Sequence, residues 1–155
     1  MKRIVGGFLV VAVSAALLVL CPTSKHGVPV VHAQSGCSVA SLSGNYGFIQ
    51  PAGVTHSGKK GKGANVPWQF IGVATFDGAG DISAAYSGSL NGQVFTNQTT
   101  AGTYTVNSDC TGSVSYTSGG AAGSTYNFVI ADGGNEIFAV DTGTGDTASV
   151  ILKKQ

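Results

Sequence analysis

Few side chains in this sequence have the type and the neighbours that chemistry needs. Glu136 is its one Glu, and Phe138 and Val140 share its parity along the stretch EIFAVD. A strand there turns all three to one side. An inward Glu136 would be a buried carboxyl with raised proton affinity, suited to act as an acid. It is the sole catalytic candidate, weighed against a strand-end Glu136 in water, because buried unpaired Glu is rare. His56 stands among several Gly, a poor platform for a positioned base. No GxSxG elbow supplies a nucleophile for it.

The remaining motifs fail on context. Gly53 to Lys60 (GVTHSGKK) nearly spells a phosphate loop, but Lys60 stands where a hydroxyl must hold magnesium. Gly143 to Ala148 (GTGDTA) mimics a dinucleotide fingerprint, yet no helix pattern follows. Asp77, Asp81, Asp132, Asp141 and Asp146 lie in or beside Gly-rich turns. Hairpin turns need those residue types, and the spacing matches no calcium loop. Lys59, Lys60 and Lys62 form a local positive patch, read as a solvated loop. No metal and no cofactor is expected.

These residues must be positioned by strands. Asn45–Gln50, Val66–Phe76, Asp81–Leu90, Gln93–Val106, Ser113–Thr117, Ser124–Ala131, Glu136–Asp141 and Thr147–Lys153 carry the apolar and aromatic residues. Trp68, Phe70 and Phe76 share one parity, and Tyr126, Phe128 and Ile130 alternate with Thr125, Asn127 and Ala131, although Val129 breaks the polar face. Asp77–Gly80, Asn91–Gly92, Asp132–Asn135 and Thr142–Asp146 read as turns, and Asn-Gly is a strong hairpin signal. Pro51–Asn65 reads as one long loop, and a bulge is expected near Thr100–Gly102. Short turns make the sheet antiparallel. The fold class is all-β, an eight-stranded antiparallel up-and-down barrel, with a β-sandwich as the alternative.

The N-terminus reads as an export signal. Met1-Lys2-Arg3 is basic, Phe8–Leu20 is apolar, and Val31-His32-Ala33 offers a cleavage site. Residues 1–33 are then removed, and 34–155 form a single secreted or periplasmic domain with no stable membrane insertion. Lipidation at Cys21 is the minor alternative, since Leu20 before it is not small. The 155 residues carry a formal charge of +1. Three of the eight Lys+Arg and none of the seven acids lie in the signal, so the remainder carries 5 − 7 = −2. That balance gives no footprint for nucleic acid. About one residue in six is Gly there, which argues against a helical bundle. Cys37 and Cys110 remain, and an oxidising compartment favours their pairing over free thiols or a metal pair.

The order of SLSGNYGF (Ser41–Phe48), FIGVATFDGAGDI (Phe70–Ile82), TAGTYTVNSDCTGSV (Thr100–Val114) and FVIADGGNEI (Phe128–Ile137) resembles a group of small secreted bacterial proteins. It is also similar to barrels of the calycin-like, allene oxide cyclase and dirigent type. The resemblance implies an eight-stranded barrel that can form homo-oligomers and whose cavity in some relatives holds an apolar small molecule. It matches no catalytic residue of those families to a position here.

Two functions follow as expectations. The first is a non-catalytic exported barrel with a structural role or a small apolar ligand, lined by Tyr46, Phe48, Trp68, Phe70, Phe128 and Phe138. The alternative is a cyclase-like enzyme acting on an apolar substrate, with Glu136 as its acid.

Overall fold

A computed structural model describes residues 36–57 and 64–155, with only the backbone described at 55–57 and 64. Residues 1–33, Cys21, the side chain of His56 and Lys59, Lys60 and Lys62 therefore lie outside the description.

The strands are β1 (Ser43–Ser57), β2 (Ala64–Asp77), β3 (Asp81–Leu90), β4 (Gln93–Val106), β5 (Thr111–Gly119), β6 (Thr125–Ala131), β7 (Glu136–Asp141), β8 (Asp146–Thr147) and β9 (Ser149–Lys154). Each pairs antiparallel with its neighbour in sequence as far as β7, which pairs with β9. Both β8 and β9 pair with β1, separated only by Ala148, and so form one stave. β1 also pairs with β2, and this closes the sheet into an eight-stranded barrel without a free edge.

The connections explain why consecutive strands pair. At the β3–β4 corner Asn91 and Gly92 have φ of 50° and 81°, the positive pair that a two-residue hairpin of matching twist requires. At the β2–β3 corner one oxygen of Asp77 accepts the N–H groups of Ala79, Gly80 and Asp81 at 2.7, 2.9 and 2.9 Å. Those bonds hold its carboxyl below the usual carboxylate range.

The expected loop over Pro51–Asn65 is mostly strand. The register of β1 against β2 slips between Gln50 and Gly53, then continues to Ser57 opposite Ala64. A bulge there absorbs Pro51, which has no N–H for the ladder, and Ala52, whose φ is 39°. The bulge expected near Thr100–Gly102 falls at that level, but the extra residue is Thr117 on β5, between Tyr116 and Ser118.

One end of the barrel is plugged. A short 3-10 turn, Val39–Ser41, leads into Leu42, which is fully buried. The Tyr104 hydroxyl lies 3.0 Å from both the Val39 and the Leu42 carbonyl oxygens. Tyr46 donates to the Gly134 carbonyl at 2.6 Å. The rings of Tyr46, Phe76 and Tyr104 stack edge to face, with centroids 5.2 and 5.0 Å apart. Cys37 and Cys110 form a disulfide with Cα atoms 5.0 Å apart, which fastens the incoming chain to the β4–β5 turn at this end.

The outer surface carries an apolar row. Val129, Phe138, Ile151, Ile49 and Ile71 lie in register on adjacent strands β6, β7, β9, β1 and β2. Four of the five, all but Ile151, are large hydrophobics exposed to solvent.

Candidate functional site

Above the plug the barrel encloses a cavity of about 260 Å³. Its lower wall is apolar, built from Phe76, Ile82, Val114, Phe128, Ile137 and Leu152. Alternation along each strand sends these inward and their neighbours out. Small residues make the space: Ala74, Ala84 and Ala139 line it where larger side chains would fill it. Leu90 lines the cavity and is also exposed, so the cavity opens at the end opposite the disulfide.

Aromatic residues form one side of the opening. Trp68 packs on Phe70 with centroids 4.8 Å apart, and Phe70 meets Tyr86 at 5.6 Å and Phe95 at 5.5 Å. Tyr116 and Tyr126 meet edge to face at 6.1 Å on the other side. Gly120 and Ala121, from the β5–β6 connection, also line the opening.

Polar groups collect at this end. Gln50 is 3% exposed and Trp68 7%, and both line the cavity. Neither Gln50 Nε2 nor Trp68 Nε1 has a hydrogen-bond partner. A buried donor left unpaired costs about 1–3 kcal/mol, so the pair is an energetic feature of the site. Asp141 is 8% exposed and lines the cavity near Asp146. Its Oδ1 accepts the Gly143 N–H at 2.7 Å. Burial pushes its carboxyl above the usual range; Asp146 adds to the rise, while Gly143 and Tyr126 oppose it.

The tyrosines respond to the same environment. Burial, with Tyr86 nearby, pushes the Tyr116 phenol up to about 12. Burial raises Tyr126 as well, with Asp141 adding to the effect. Gln50 is close enough to Tyr126 to favour the phenolate slightly, yet no acceptor completes a hydrogen bond to its Nε2.

The expected ligand-lining residues divide. Phe48, Trp68, Phe70 and Phe128 line the cavity. Tyr46 points inward but lies beneath the cavity, in the plug, with its hydroxyl bonded to Gly134. Phe138 is 42% exposed and belongs to the outer row. Glu136 shares its parity, as expected, but the shared face is the outer one. Its Oε1 lies 3.2 Å from Nζ of Lys153, its cross-strand partner. The inner face of β7 is Ile137, Ala139 and Asp141. The acid that β7 sends into the cavity is therefore Asp141, which the sequence presents as a turn residue. Gln50 had a legible signal, since it continues the inward series Tyr46, Phe48.

Among the described residues, no three His, Cys, Asp or Glu side chains converge where a metal could sit. Also among them, no helix is long and apolar enough to cross a membrane. The disulfide fits an extracellular or periplasmic setting.

Fold and site together define a class: a disulfide-bonded, eight-stranded antiparallel barrel with an apolar interior cavity and a polar mouth. Comparison with protein-family models, with curated proteins and with solved structures finds no match for the chain.

Proposed function

We propose that this protein is a non-catalytic, exported binding barrel that holds one small apolar molecule in its interior. The observation that carries this reading is the cavity of about 260 Å³ with an apolar lower wall. A cavity of roughly 150 Å³ accepts benzene, so this one suits a ligand of about ten non-hydrogen atoms. The export signal expected from the sequence over residues 1–33 is consistent with the exported part of this reading.

Calorimetric titration of the oxidised protein with tetralin tests it. The expected result is saturable binding of one molecule per chain. Ala84→Leu, which extends a side chain into the cavity, should weaken it more than tenfold while the fold persists by circular dichroism. Absence of binding to the native protein would sink the proposal.

A second reading is a cyclase-like enzyme. The observation favouring it is Asp141, a carboxyl with raised proton affinity beside the Tyr126 phenol in an apolar cavity. It takes the part that Glu136 cannot play from the outer face. If this reading holds, Asp141→Asn should bind the ligand as before but abolish its conversion.

A further inference from the structure

We infer that the ligand is a neutral molecule whose apolar body bears one hydrogen-bond-accepting oxygen of the carbonyl class, received by Trp68 Nε1 and Gln50 Nε2. The inference rests on the binding reading above and adds the chemistry of the ligand's polar end.

Both groups are N–H donors on residues lining the cavity; Trp68 Nε1 has no partner, and the Tyr126 hydroxyl beside Gln50 Nε2 does not complete a hydrogen bond to it. Donors can be satisfied only by an acceptor. Gln50 lies opposite Phe70, and Trp68 is two residues from Phe70 on the same inward face of β2. Such diagonal neighbours sit roughly 7–8 Å apart at Cα, within reach of two long side chains serving one group. The β1 bulge between Gln50 and Gly53 lies beside both.

Charge selects among acceptors. Asp141 and Asp146 line the cavity, and no Lys, Arg or His does so among the described residues. A carboxylate or phosphate would meet like charge in a partly dry site with no cation to offset it. A ketone, aldehyde, ester or amide oxygen meets no such penalty. The apolar lower wall then takes the rest of the molecule, with the oxygen held toward the mouth.

The test compares three ligands that share one skeleton: tetralin, 1-tetralone and tetralin-1-carboxylate. Each is titrated calorimetrically at neutral pH into the oxidised protein and into Trp68→Phe, Gln50→Met and the double variant. The native protein should bind the ketone at least about tenfold more tightly than tetralin. Each single variant should reduce that ratio, and the double variant should bring it within about twofold. The carboxylate should bind no better than tetralin. Where the double variant does not fold, the two single variants carry the comparison.

Equal affinity of the native protein for ketone and hydrocarbon would overturn the inference and leave the binding reading standing. It would mean that no ligand oxygen reaches the two donors. A ketone preference that survives both substitutions, or a carboxylate that binds best, would overturn it too. If neither tetralin nor tetralone binds, the binding reading itself fails.

Discussion

A Cβ placed on Gly53 would lie 2.5 Å from Cε2 of the Trp68 indole. The ring therefore rests directly on the β1 backbone, at a position where any side chain would displace it. Gly53→Ala should push the indole off that surface and cost about 1–3 kcal/mol in denaturant unfolding, the usual range for overpacking. Trp68 is the chain's one Trp, so the emission spectrum reports this site alone. It should shift toward that of exposed indole. An unchanged spectrum would show that the ring does not depend on Gly53.

The Cys37–Cys110 disulfide closes a loop with a sequence separation of 73 and fastens the plug. Replacing both cysteines by Ala should cost up to about 4.5 kcal/mol on the chain-entropy estimate for a loop of that length. The check is the urea midpoint of the double variant against the oxidised parent. Tyr104→Phe should add a smaller loss, because the Val39 and Leu42 carbonyls would lose their shared donor.

Asp141 gives the protein a pH dependence of definite sign. Its proton affinity is higher in the folded state than in the unfolded chain, chiefly through burial. The folded form therefore holds the proton more tightly, and the contribution is most favourable below the ordinary carboxylate value. It is lost as pH rises from that value through the folded pKa. Asp77 and Asp109 run the other way, since hydrogen bonds lower both; their contribution is lost as pH falls through their folded values. Asp141→Asn keeps an oxygen for the Gly143 N–H and removes the titration. It should raise the melting temperature near neutral pH and flatten its decline as pH rises above the ordinary carboxylate value. A variant as pH-sensitive as the parent in that window would refute the assignment.

Glu136 should behave as a surface residue. Its partner Lys153 has a side chain 73% exposed. Pairs of that kind contribute about 0–1 kcal/mol. Glu136→Gln should change stability by no more than that and leave tetralin affinity unchanged. A large loss of binding would return Glu136 to the interior.

The strands were legible because their alternation is local. Trp68, Phe70 and Phe76 keep one parity over β2, and the Asp-Gly and Asn-Gly turns between strands need no distant partner to be read. Pro51 misled in one respect. It looks like a strand terminator, yet a bulge lets β1 run past it to Ser57. The inner face of β7 was not legible at all. EIFAVD offers Glu136, Phe138 and Val140 on one side and Ile137, Ala139 and Asp141 on the other, and both sides hold apolar residues with one acid.

The sequence by itself determined that this is an all-β chain of consecutive antiparallel hairpins, and it favoured the pairing of Cys37 with Cys110 that the disulfide bears out. Period-two patterning and turn chemistry act within a few residues, so they can be read along the chain. Tertiary structure decided which face of each strand is interior and what remains unpaired there. Register against β6 and β9 sets Phe138 between Val129 and Ile151 outside, and so carries Asp141 into the cavity. Closure of β1 onto β2 and β9 brings Gln50 and Trp68 to one mouth and seals Tyr46 beneath the floor. Each of these depends on partners far away in sequence, and only the closed sheet supplies them.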